Sequence, residues 1–145
     1  MTVLSMMDLS MTHPRDATIE MLDALWSRGD ETPVRSAVAA DFTYSLSSNG
    51  DQLDLQGYLD LAAGFRVAFD PIDLIFHRVL AEGSRVMAHF SMTGAHVAPI
   101  FGIEATGRQL WIAVMTIMYF DEGVLRRQSS LTDFLSLQRQ LRGEV

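Results

Sequence analysis

Residues 71–96 read PIDLIFHRVLAEGSRVMAHFSMTGAH, and residues 107–133 read GRQLWIAVMTIMYFDEGVLRRQSSLTD. Both are rich in branched and aromatic residues, and they divide into four runs with strand character: Ile72–Ala81, Arg85–His96, Arg108–Phe120 and Val124–Asp133. The breaks are Glu82-Gly83, Thr106-Gly107 and Glu122-Gly123, all turn signals. A strand of 12 or 13 residues would extend about 40 Å at roughly 3.3 Å per residue, more than the width of a domain this size. Such strands are expected to bend, with Gly94 as the bulge or bend position, and a bent sheet leaves a hollow on its concave side.

Upstream the pattern is helical. Pro14 suits a first helical position, and Ile19, Leu22, Leu25 and Trp26 recur at three- and four-residue steps, so Arg15 to Arg28 reads as an amphipathic helix stopped by Gly29. Thr32-Pro33 opens a short second helix ending near Asp41. Phe42, Tyr44 and Leu46 alternate with polar neighbours as a short strand, and Asn49-Gly50 turns it towards a return strand at Leu53 and Leu55. Tyr58, Leu61, Ala62, Phe65 and Phe69 form one continuous helical stripe ended by Pro71. Phe134, Leu137 and Leu141 suggest a closing helix. Helices first and strands afterwards predict an α+β domain over 13–145, behind a loose segment at 1–12.

Composition limits the chemistry. The chain of 145 residues carries 11 basic and 18 acidic side chains, a net charge of −7. That balance argues against a nucleic-acid partner, and no apolar run is long enough to span a bilayer. Residues 1–12 show no basic n-region of a secretory signal, so a cytoplasmic location is expected. There is no cysteine, and every basic residue is arginine. Thiolate, Schiff-base and Walker-type chemistry are therefore excluded. Neither GxGxxG, HExxH nor GxSxG occurs. Without a cofactor or metal, acid–base chemistry by Asp, Glu, His, Tyr and Arg remains.

The order of several short motifs is recognisable. Gly94-Ala95-His96 leads to Phe101-Gly102-Ile103-Glu104-Ala105-Thr106-Gly107-Arg108. A long apolar strand and the turn at Gly123 follow, and the chain closes on Leu131-Thr132-Asp133-Phe134 and Gln138-Arg139-Gln140-Leu141. From Asp16 to Leu141 the chain resembles the SnoaL-like polyketide cyclase branch of the nuclear-transport-factor-2-like superfamily. The resemblance implies a cone-shaped α+β barrel with a deep pocket, assembled as a homodimer across the sheet. It also implies a cofactor-independent cyclase or isomerase acting on a small apolar carbonyl compound, with Asp133 as the acid–base. The family usually has Trp four residues before this Asp and an acidic residue six before; here Ser129 and Arg127 stand there.

Each candidate carries two readings. An Asp133 buried in an apolar pocket would have a raised pKa and could take a proton alpha to a carbonyl; alternatively it caps the following helix. Tyr44 faces inward by parity and either donates to a substrate oxygen or is core. His96 is a pocket-rim ligand or a structural hydrogen-bonding residue, and it lies too badly spaced from His89 for a shared metal. Trp111, Met115 and Met87 are pocket walls, core, or a dimer face. Arg127 either binds a substrate carboxylate, pairs with Asp133, or points to solvent, with Arg126 on the opposite face. The alternative to an enzyme is a non-catalytic small-molecule-binding or dimerisation module of the same superfamily.

Overall fold

The computed structural model describes residues 13–46 and 50–144. The expected 1–12 segment and Asn49 lie outside the described residues. Helix α1 (Pro14–Leu22) begins with its proline where a missing N–H costs nothing, and runs on into a π-helical turn, Asp23–Arg28. Gly29 ends that turn in the left-handed region, at φ 70°. Helix α2 (Thr32–Ala37) is shorter than expected, because strand β1 (Val38–Ser45) already begins at Val38. Strand β2 (Gln52–Leu53) returns beside β1, and Asp54 then caps helix α3 (Leu55–Ala68) by accepting from the Gly57 N–H at 2.8 Å.

The four apolar runs form β3 (Asp73–Glu82), β4 (Arg85–Ala95), β5 (Gln109–Asp121) and β6 (Val124–Thr132), each within about a residue of its expected span. Helix α4 (Phe134–Leu141) closes the described chain. Among the described residues the strands make one curved, unclosed sheet in the order β2-β1-β6-β5-β4-β3. All neighbours are antiparallel except β1 and β6, which run parallel. β1 thus lies between its own hairpin partner β2 and the last strand β6, and the long connection between β1 and β6 permits their parallel pairing.

Side-chain parity divides the sheet into two faces. On β5 the inward set is Leu110, Ile112, Val114, Thr116, Met118 and Phe120, all buried. The inward set of β4 is Val86, Ala88, Phe90 and Met92. Against this concave side pack Leu22, Leu25 and Trp26 from α1 and its π-turn, and Tyr58, Leu59, Ala62 and Phe65 from α3. The core sits between these two layers.

The expected bend at Gly94 is not where the ladders shift. Pairing along β4–β5 runs unbroken through Gly94, and the irregularities fall between Phe76 and Arg78 on β3, opposite Tyr119/Phe120 on β6, and between Val38 and Thr43 on β1. Gly94 answers a different need. A Cβ there would stand 3.0 Å from the Phe69 Cβ and 3.1 Å from the Pro71 carbonyl oxygen, so glycine lets the α3–β3 connection cross the sheet closely.

Candidate functional site

The concave face encloses a cavity between the helices and β1, β4, β5 and β6. Its walls are apolar, with Trp26, Phe65, Phe90, Met92 and Phe134 among them, and its floor is polar. The floor comes from β6, whose alternate residues Gln128, Ser130 and Thr132 point inward, together with Tyr44 from β1. The space is tight, with a cavity volume of about 20 Å³.

The floor is a connected hydrogen-bond network. The Gln128 Nε2 donates to Thr116 Oγ1 at 3.1 Å, and the Thr116 and Ser130 hydroxyls meet at 2.8 Å. Thr116 also donates to the Ser129 carbonyl at 3.3 Å. The Tyr44 and Tyr58 rings stack with centroids 4.2 Å apart, and the Trp26 indole N–H donates to the Tyr58 hydroxyl at 3.2 Å. Burial pushes both phenols above the ordinary tyrosine value. In Tyr58 the neighbouring Tyr44 adds to that push and hydrogen bonding from Trp26 and Gln128 opposes it; in Tyr44 only Ser130 opposes it. Both phenols are therefore neutral hydrogen-bond donors at neutral pH. Phe101 packs outside two of the lining residues. Its ring stands edge-on to Phe65 at 6.4 Å and to Phe134 at 6.1 Å, and its backbone takes φ 52°.

Of the expected site residues, Tyr44 alone is brought to this cavity. Asp133 is exposed, not buried among apolar walls. Its carboxylate accepts the Ser136 N–H at 3.0 Å as the N-cap of α4, and its own N–H donates to the Ala113 carbonyl. A bulge sets which residues of β6 face inward. Tyr119 faces Arg127 and Phe120 faces Leu125, so Arg126 is an extra residue in β6. Leu125 is thereby inward with Gln128, while Arg127, Leu131 and Asp133 are outward. Arg126 and Arg127, expected on opposite faces, are both exposed. Arg127 neither points inward nor pairs with Asp133; its guanidinium lies 4.0 Å over the Tyr119 ring.

Trp111 and Met115 also fall outside the cavity, 48% and 43% exposed on the convex face. Met115 belongs to a cross-strand patch with Leu80, Met87 and Leu131, flanked by Arg85 and Arg127 on either side of Tyr119, and Trp111 lies four residues before Met115 on the same face of β5. His89 and Asp133 share a separate hollow on that face with Met115 and Leu131. His96 is fully buried but holds a turn. Its Nδ1 accepts the Thr106 N–H at 3.1 Å and meets the Thr106 hydroxyl at 3.0 Å. Arg108, two residues on, donates to the Gln140 and Leu141 carbonyls at the end of α4. The Gly-x-His and Thr-Gly-Arg segments are thus structural clasps.

The floor residues Gln128, Ser130 and Thr132, and Thr116 bonded to them, escaped sequence reasoning because polar residues alternating along a strand read as its solvent face. One signal was available: Thr116 is the lone hydroxyl in an otherwise apolar parity set on β5.

Comparison with known proteins agrees with this architecture. The sequence profile of the SnoaL-like polyketide cyclase family matches residues 16–141. A protein from Acidithiobacillus ferrooxidans assigned as a polyketide cyclase is similar with TM-score 0.79 at 24% identity, over 93% of this chain and 99% of its own. AclR from Streptomyces galilaeus, assigned as a hydroxylase, gives TM-score 0.78 at 19% identity, over 89% of this chain and 81% of its own. A SnoaL-like polyketide cyclase from Agrobacterium tumefaciens gives 0.72 at 18%, over 90% and 99%. Among curated proteins none matches. At these identities the likeness establishes the fold and not the chemistry.

Proposed function

The chain belongs to the SnoaL-like polyketide cyclase family, and from that premise we propose that its inner cavity holds a small, largely apolar carbonyl compound of polyketide-like character without turning it over through Asp133. The observation that carries this is the uncharged floor. Tyr44, Ser130 and Gln128 present hydroxyls and an amide inside an apolar hollow, and no carboxylate or imidazole is among the cavity-lining residues described. A protonated phenol can donate to a carbonyl oxygen and polarise it. Abstraction of an alpha proton needs a base within about 3 Å of that proton, and the described lining supplies none. Binding and orientation follow from such a site; a cyclase or isomerase step does not. The cavity must widen to admit such a compound, since ligand cavities usually measure about 300–1,000 Å³.

The cyclase or isomerase reading draws support from the family itself and is decided by the same experiment. The probe is 1-tetralone, a flat aryl ketone, titrated against the fluorescence of the cavity-lining Trp26, with alpha-proton exchange followed in deuterated buffer. Saturable binding weakened about fivefold by Tyr44→Phe, as one lost hydrogen bond predicts, and untouched by Asp133→Asn is the expected result. Absence of binding, or exchange catalysed by wild type and lost in Asp133→Asn, would overturn it.

We also propose that a second copy of the chain covers the convex face. Leu80, Met87, Trp111, Met115 and Leu131 are each at least 42% exposed on it, a contiguous apolar patch of the kind that marks association surfaces.

A further inference from the structure

We infer that Gln128 is the specificity-determining residue of the inner cavity, its side-chain carbonyl accepting a hydrogen bond from a hydroxyl group on the ligand. This rests on the proposal that the cavity takes a small carbonyl compound, and it assigns that compound a second polar group, a phenol, enol or alcohol.

The starting point is an unpaired atom. Gln128 is 2% exposed and lines the cavity, yet its Oε1 finds no donor among the described residues. An amide carbonyl shut away from water without a partner is disfavoured, and folded proteins seldom retain one unless something else satisfies it. The remainder of the side chain is pinned. Nε2 donates to Thr116 Oγ1, which is itself tied to Ser130 and to the Ser129 carbonyl. Turning the amide over would leave both of its N–H groups unpartnered by that hydroxyl, and orphaned buried donors are rarer than under-used carbonyls. With Nε2 held in that network, Oε1 is the end of the amide left without a partner among the described residues.

Sheet register places this acceptor usefully. Gln128 is the direct cross-strand partner of Tyr44, both side chains facing inward. A phenol donor and a carbonyl acceptor therefore stand on adjacent strands, about 5 Å apart at the backbone. A ketone alone would engage Tyr44 and leave Gln128 as it is. A hydroxyketone with its hydroxyl on the same edge would satisfy both. Discrimination then comes from the protein's own unpaired group, which only a donor-bearing ligand relieves.

The experiment compares 1-tetralone with its 5-, 6- and 7-hydroxy isomers on wild type, Gln128→Leu and Gln128→Met, with melting temperatures measured for all three proteins. At least one hydroxylated isomer is expected to bind wild type about tenfold tighter than 1-tetralone. In both variants the hydroxylated isomers should bind no tighter than 1-tetralone, so that the ratio of the two affinities falls to about one. They should melt within about 3 °C of wild type, because losing the buried unpaired Oε1 offsets losing the Nε2 hydrogen bond to Thr116. The assignment is overturned if no isomer gains, or if the gain survives both substitutions. Failure of every tetralone to bind wild type would instead overturn the ligand proposal beneath it.

Discussion

Replacing Asp133 by alanine removes the oxygen that accepts the Ser136 N–H at 3.0 Å at the start of α4. The loss of an N-cap costs about 1 kcal/mol, within a range of roughly 0.5–2. The damage should stay local, because α4 is held elsewhere. Leu137 and Leu141 are buried, and the Gln140 side chain clasps Trp111 at both its N–H and its carbonyl. For a domain of this length 1 kcal/mol corresponds to a fall of about 3 °C in melting temperature. Asparagine caps nearly as well as aspartate, so Asp133→Asn should sit close to wild type in urea and thermal denaturation, with Asp133→Ala alone displaced. Ligand binding in the inner cavity should be the same in all three. If Asn and Ala abolished a catalysed reaction equally while leaving stability unchanged, the carboxylate would be acting in chemistry and its assignment as a cap would be wrong.

Three further expectations concern the core and the convex face. Burial raises the pKa of Tyr44 and Tyr58 in the folded state, so their contribution is fully present below the unfolded value of about 10 and is lost as pH rises beyond it. Stability measured by urea should therefore fall above about pH 10, with a shallower fall in Tyr58→Phe; an unchanged slope would contradict the burial argument. At neutral pH, Tyr58→Phe also orphans the Trp26 N–H and should cost about 1–3 kcal/mol in the same titration. Gly94→Ala forces a methyl against Phe69 and the Pro71 carbonyl and should destabilise by about 1–3 kcal/mol; a neutral result would mean that the crossing is looser than 3.0 Å implies. Met115→Arg should convert a dimer to a monomer in light scattering without lowering ketone affinity, and a wild-type monomer would remove the case for a paired convex face.

Much of the architecture could be read along the chain. The four strand runs, the α3 stripe and the turns at Gly83 and Gly123 depend on local periodicity and on backbone freedom, and neither needs a tertiary partner to be visible. The family likeness spans the same elements. The face of each strand could not be read so easily. Trp111, Met115 and Leu131 are apolar and lie outside, while Gln128, Ser130 and Thr132 are polar and lie inside. Both faces of this sheet mix the two characters, which removes the signal that ordinarily separates them.

Strand β6 shows how one residue redirects a face. One extra residue, Arg126, offsets the parity of β6, and only the pairing of that strand with β5 reveals it. Sequence alone determined that the domain is α+β, with long strands, no thiol, no lysine and a carboxylate beginning the last helix. Tertiary structure decided that this carboxylate serves the helix backbone and that the cavity floor is uncharged. The physical reason is that element type follows from neighbours along the chain, whereas the direction of a side chain follows from register, and register is set by residues far apart in sequence.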